Sequence, residues 1–560
     1  MSSERKYTPS QQNVIDFRGQ SMLVSASAGT GKTTVMIERI VSLLAEGIDV
    51  SELVVVTFTN LAAAEMKNRL SSKLAERKGE SKLIEQLERL DSANISTLHS
   101  FCGELLRNYF YVADIDPSFT VLDNNLVKTL QKNAMDEVFL QYFTQKDIIF
   151  KKVYKIFSKY RQESNFKNVL FDLYGFSRCI ENFGEWYASK RCNLLEYCDN
   201  NPLIATVLRD IEENVKSCAE SMRALHSRGV SEGLAFSDVF ASNAEMLEKV
   251  RLDNLENALF DLYKLTFNRI PARSKKTDFG TDKQIEEQIR QDYADVTKEY
   301  DDFVKKYINV CRGEPMEKLW KETQSTVELL DKLAEIITRF DETYFRMKKE
   351  RGGLDFNDLE HLTVKLLNDP ETLADIRSKY KMIFVDEYQD TNPVQEAIIS
   401  KLATTGNLFM VGDVKQSIYG FRGCEPNIFA DKEKRFETCG QGEVVRLNDN
   451  FRSNVDILEF VNLVFSSIMT EDFGKVDYLR SAQLKGANLP VLPQTPSVRI
   501  DFVTPKPRGG QKIDDDEEVD IYDITAETDN SVIDKESAIV VKRIKEYVGM
   551  RYADKTAPKK

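Results

Sequence analysis

Residues 25 to 35 read SASAGTGKTTV and follow the apolar run Met22-Leu23-Val24. A loop that wraps phosphate needs backbone N–H groups converging on the oxygens, hence glycine-permitted dihedrals, then a helix N-terminus and a lysine. Ala28-Gly29-Thr30-Gly31 supplies such a turn, Lys32 would reach the β and γ phosphates, and the Thr33 hydroxyl would hold Mg2+. Ala26 stands where the strict pattern G-x-x-x-x-G-K-S/T has its first glycine, so the match is imperfect. An ATP site is expected over Ala26, Ser27, Ala28, Gly29, Thr30, Gly31, Lys32, Thr33 and Thr34.

A second stretch, KMIFVDEYQD at 381 to 390, ends an apolar run in two acids. Asp386 would hold Mg2+ through water, and Glu387 would orient and deprotonate an attacking water. Taken alone, adjacent acids at a strand end usually cap the next helix. Joined to a phosphate loop they point to nucleotide hydrolysis, with ATP and Mg2+ as cofactors.

These residues need a scaffold of strands that end in loops. Near-continuous apolar runs at 21–25, 53–59 and 94–98 each lead into a helical pattern, including a helix over 34–46, and similar runs return at 381–387, 407–413 and 443–448. Such strands between helices imply a parallel sheet covered on both faces. Between roughly 121 and 350 the chain is rich in Phe, Tyr, Leu, Lys and Glu and reads as helix, so a helical domain inserted into the α/β domain is expected. The domain reading is 1–120 and 351–445 as the two parts of one lobe, 121–350 as the insertion, and 446–560 as the start of a second lobe. Within the insertion, KKVYKIFSKYRQ at 151–162 reads as a core stripe of Val153, Ile156, Phe157 and Tyr160 in preference to a duplex-contacting helix. The loop PARSKK at 271–276 is the better candidate for a phosphate contact. An exposed loop at 505–523 and an amphipathic helix at 537–548 are expected towards the end.

At 560 residues the chain predicts about three or four domains. It is 42% hydrophobic and 30% charged, no run approaches a membrane span, and the N-terminus lacks an apolar signal segment, so no membrane partner and a bacterial cytoplasmic location are expected. Eight cysteines fit reduced thiols, and the three separated histidines argue against a zinc or iron–sulfur centre. The net charge of -13 speaks against a bulk basic surface for nucleic acid but leaves room for a narrow basic channel.

Six stretches occur in a fixed order: TPSQQNVI (8–15), TFTNLAAAEMKNR (57–69), STLHSFC (96–102), DEYQDTNPVQ (386–395), VGDVKQSIYGFRG (411–423) and LNDNFRS (447–453). Together they resemble the ordered motif set of superfamily 1 DNA helicases. GLDFNDLE (353–360), the large insertion and GDVKQSIYGFRGCEP resemble most the AddA family, the helicase–nuclease subunits of bacterial AddAB enzymes, related to RecB. The resemblance implies an α/β fold: a RecA-like, parallel-sheet P-loop NTPase lobe with a large inserted all-helical domain and the beginning of a second RecA-like lobe. It implies that Gln11 reads adenine, Gln416 senses the γ phosphate, and Arg452 is the finger that stabilises charge on the transferring phosphoryl group. Phe58, Tyr419, Phe421 and Arg422 match positions facing single-stranded DNA, with Thr57, Asn60, Thr97 and His99 as backbone contacts. Aromatic faces for bases beside groups holding phosphate are what a sequence-tolerant motor needs.

The implied activity is ATP-dependent 3'-5' unwinding by a helicase–nuclease that loads on double-strand ends with an AddB-like partner for recombinational repair. A UvrD or Rep type repair helicase without a nuclease is the rival reading, and a nucleotide-gated scaffold a non-enzymatic one. No stretch after Ser453 resembles the later helicase motifs or an acidic nuclease motif. The expectation is thus an N-terminal piece that binds ATP and Mg2+ but is weak or inactive alone as ATPase, helicase and nuclease.

Overall fold

A computed structural model describes residues 7–77, 80–158, 163–195, 200–271, 283–311, 316–470, 476–486, 501 and 532–548. The six apolar runs become β1 (Ser21–Ala26), β2 (Leu53–Thr57), β3 (Asn94–Thr97), β6 (Met382–Val385), β7 (Leu408–Gly412) and β8 (Gly442–Leu447) of one sheet. Two short strands, β4 (Thr120–Val121) and β5 (Gly353–Leu354), pair with each other outside it. The sheet order is β3-β2-β6-β7-β1-β8, parallel throughout.

Successive side chains of a strand point to opposite faces, and here both faces are buried. Val54, Val56, Ile383, Val385, Leu408 and Met410 pack on one side, against the helices Leu98–Asn108, Phe356–Leu366, Pro393–Leu402 and Pro426–Cys439. Met22, Val24, Leu53, Val55, Phe384, Phe409 and Val411 pack on the other, against α1 (Pro9–Asp16), α2 (Lys32–Glu46) and α3 (Asn60–Glu76). Because all six strands run the same way, the phosphate loop after β1, Phe58 after β2, Thr97 at the end of β3, the acids after β6 and Asp413 after β7 share one edge. Ligands of open parallel sheets bind outside this carboxyl edge.

The described residues between β4 and β5 are helical and form two cores of their own. The helix Met316–Lys349 spans both, with Met316 and Trp320 in one core and Leu333 to Tyr344 in the other. One expected detail is corrected. In the helix Ile148–Phe157, Phe150 and Val153 are buried and Phe157 stacks on Phe166, but Ile156 is 52% exposed, because the inward stripe runs through 150, 153 and 157. Tyr160, residues 272–276 of the PARSKK loop and the stretch 505–523 lie outside the described residues. The helix expected at 537–548 is Val532–Tyr547. After β8, β9 (Asp449–Asn450) pairs with β10 (Lys485–Gly486).

Where the chain returns to the sheet, Lys348 is fully buried and its Nζ lies 2.8 Å from Asp355 and 2.6 Å from Asp358. Burial works against the Asp355 carboxylate, but the Lys348 ammonium outweighs it and holds Asp355 below its usual range. Burial and then the Asp355 charge push Asp358 up to about 6. Removing one partner of a buried ion pair strands the other, so Lys348→Met is expected to cost about 3–5 kcal/mol in a denaturant titration. Without the cation both carboxylates have folded values raised above their unfolded ones, so the deficit should grow from pH 5 to pH 8.

Candidate nucleotide and nucleic-acid site

The loop after β1 turns through Gly29 and Gly31, both in the left-handed region (φ +82° and +92°) that only glycine adopts readily. A Cβ on Gly29 would meet Arg452 Cβ at 2.9 Å, and one on Gly31 would meet Gln11 Nε2 at 3.1 Å. Thr30 is buried, its hydroxyl donating to the Ser27 carbonyl at 2.7 Å, while Ala26 and Ser27 are buried and Ala28, Thr33 and Thr34 are half-buried. Among the described residues no side chain caps α2, whose first N–H groups open into the loop. An uncapped helix N-terminus behind a glycine turn fits a phosphate group.

Lys32 is 3.0 Å from the Glu387 carboxylate. Glu387 itself sits at φ 52°, a left-handed conformation that costs a non-glycine residue of the order of 1–3 kcal/mol and clusters at functional sites. Its Oε2 also accepts from Gln389 Nε2 at 3.1 Å, and Gln389 Oε1 accepts the Asp413 N–H at 2.9 Å. Burial, then the adjacent Glu387, push Asp386 up to about 6 against the pull of Lys32. A buried acid pair short of positive charge fits a divalent cation, with Asp386 and the Thr33 hydroxyl as holders.

Gln11 is buried beside the loop. Its Nε2 donates to the Thr30 carbonyl at 3.0 Å and its Oε1 accepts the Thr8 N–H at 3.1 Å, which leaves one N–H and one lone pair for another group. Gln416 donates to Asp413 at 2.7 Å in the turn after β7. Arg452 is exposed, but its backbone is fastened to the phosphate loop. Phe451 N donates to the Gly29 carbonyl at 2.9 Å, Asn450 Nδ2 donates to the Ala28 carbonyl at 2.8 Å, and Asn450 Oδ1 accepts the Arg452 N–H at 2.9 Å. Asn450 carries no signal of its own in the sequence, although it lies two residues before Arg452 in the same motif.

Across the same edge, Phe58 stacks on Tyr419 with centroids 4.8 Å apart, and Tyr419 lies 5.9 Å from Phe421, which is 80% exposed. Arg422 belongs to the turn Gly420–Arg422, and its side chain lies outside the described residues. Asn60 begins α3 and is exposed; Thr97 caps the helix Leu98–Asn108. Thr57 is only 2% exposed and its hydroxyl donates to the Thr59 carbonyl, so this side chain is turned into its own loop. His99 Nε2 is 3.0 Å from Glu360, a buried carboxylate that nothing in the sequence marks. A cavity of about 350 Å3 has Phe58, Thr97 and His99 on one wall and Asp386 and Glu387 on another.

A parallel α/β sheet with a glycine-turned phosphate loop after one strand and paired acids after another is the P-loop class of nucleotide-binding protein. The UvrD/REP helicase N-terminal domain matches residues 7–437, and the chain belongs to this helicase family. It is similar to the ATP-dependent helicase/nuclease AddA of Natranaerobius thermophilus, with 34% identity over 95% of this chain and 42% of that protein. The protein of the same name from Ligilactobacillus salivarius is 32% identical over 98% of this chain and 45% of its own length. That of Listeria innocua is 32% identical over 86% and 41%. The chain thus spans less than half the length of these relatives. Among the described residues no helix is long and apolar enough to cross a membrane.

Proposed function

We propose that the chain is the ATP-driven motor part of an AddA-like helicase–nuclease, which moves 3'-5' on single-stranded DNA and processes double-strand ends with an AddB-like partner. The observation that carries this reading is the shared cavity: the Phe58–Tyr419–Phe421 surface and the acids Asp386 and Glu387 lie on walls of one sheet edge. A motor needs its strand grip and its hydrolytic centre mechanically joined, and short rigid strand ends do this. In this reading residues 121–350 are the inserted domain and 446–560 begin a second lobe.

Lys32 and the α2 N-terminus would bind the phosphates, Gln11 the adenine edge, Gln416 the γ phosphate and Glu387 the attacking water. Mg2+, when held by Thr33 and Asp386, would neutralise charge on the transferring group. The Lys32–Glu387 contact would part when phosphate arrives, which frees the Glu387 carboxylate to act as base.

The test is ATP hydrolysis by the full-length protein with and without single-stranded DNA, together with displacement of a strand from a duplex carrying a 3' tail. Stimulation and displacement are expected; absence of both would overturn the reading. Base stacking on an aromatic contributes about 1–3 kcal/mol. Phe58→Ala should therefore weaken binding of an oligothymidylate about 5- to 150-fold in fluorescence anisotropy, with unchanged nucleotide affinity.

A further inference from the structure

We propose that Glu360 is a positioning residue that couples a DNA backbone contact at His99 to the hydrolytic acids Asp386 and Glu387. The inference rests on the reading of His99 as a DNA contact given above.

Glu360 lies in the helix Phe356–Leu366 and is 2% exposed. A carboxylate with so little water is costly unless each lone pair is used. One arm reaches outward: Oε1 meets His99 Nε2 at 3.0 Å, while the Phe356 ring sits edge-on to the imidazole at 4.9 Å. An ionised carboxylate only accepts, so it fixes the hydrogen on Nε2 and the plane of the ring. The other arm reaches inward: Oε1 accepts from Gln395 Nε2 at 2.7 Å and Oε2 from Asn392 Nδ2 at 3.4 Å. Burial alone would raise this acid, but His99, Gln395 and Asn392 hold it below its usual range.

Asn392 is the cap of the helix Pro393–Leu402, its Oδ1 accepting the Gln395 N–H at 2.8 Å. Between it and Glu387 lies only the single turn Tyr388–Asp390, so a displaced cap has little slack before it moves Glu387. Glu387 is in turn held by Lys32 and Gln389. One buried carboxylate therefore joins the rim of the strand grip to the segment that carries the acids. Packing alone would be served by an apolar residue at this buried position of the helix.

Coupling between two sites typically changes one response 5- to 150-fold when lost. In the full-length protein, E360Q is expected to lower the ratio of DNA-stimulated to DNA-free ATP hydrolysis by about fivefold or more, with DNA-free hydrolysis within about twofold of wild type. In a His99→Ala background the same change should add nothing. Gln395→Leu keeps the His99–Glu360 pair and cuts the inner arm; it should lower the ratio similarly while oligothymidylate affinity stays within about twofold. An unchanged ratio in both E360Q and Gln395→Leu, independent losses in the double variant, or a parallel fall of both rates with the melting temperature would each overturn the proposal. Wild-type hydrolysis indifferent to DNA would instead sink the proposed function itself, before any substitution is compared.

Discussion

Replacing Glu387 by glutamine is expected to lower ATP hydrolysis by the full-length protein about a hundred- to ten-thousand-fold, the usual worth of a positioned general base, while ATP still binds. The geometry separates the two effects. Lys32 is 3.0 Å from the Glu387 carboxylate, so the acid competes with phosphate for the lysine, and an amide competes less. Glutamine keeps the shape and can still meet Gln389, so the turn after β6 should survive. Burial and the charge of Glu387 together push Asp386 up to about 6; losing the second of these lets Asp386 ionise more readily and serve the cation better. Turnover numbers and the binding of a fluorescent ATP analogue measure the two sides. Equal loss of hydrolysis and binding would mean that Glu387 is structural, and hydrolysis within about threefold of wild type would mean that the base lies elsewhere.

The sheet was legible because a parallel sheet buried on both faces writes itself as unbroken apolar runs, and each of the six runs became one strand. The phosphate loop and the acids after β6 were legible for a related reason: their chemistry demands particular residues next to particular strand ends. The links between them were not. Asn450 reaches the Ala28 carbonyl, and Glu360 reaches His99, across hundreds of residues of intervening chain, and neither pairing leaves any local period. The acids of GLDFNDLE look like an ordinary solvated helix start, yet Asp358 and Glu360 are buried because Lys348 and His99 come to them from other elements. Strands β4 and β5 are two residues each, too short for alternation to register. Thr57 shows the limit of carrying a role over by position: the motif marks it, but the strand end buries it.

Arg452→Ala is expected to lower the turnover of ATP about a thousand-fold or more, the range for removal of an arginine that stabilises charge on a transferring phosphoryl group. The side chain is exposed and free to extend, whereas its backbone is clamped to the phosphate loop by Asn450 and Phe451. Gly29 and Arg452 are so close that a Cβ on the glycine would overlap the arginine Cβ at 2.9 Å. This fixes the root of the side chain beside the loop that would hold the phosphates and leaves only the guanidinium to find its position. The KM for ATP should change far less than the turnover, because the contact matters most as charge develops in the transition state. Lysine should not restore the rate, since it lacks the planar fork that meets two oxygens at once. Gly29→Ala tests the same geometry from the other side. At φ +82° and with Arg452 in the way it must push the arginine's root outward, so it should reproduce much of the loss in turnover while leaving Arg452 chemically intact. A Gly29→Ala protein with wild-type turnover would mean that the two segments separate during the cycle and that the clamp seen here plays no part in hydrolysis.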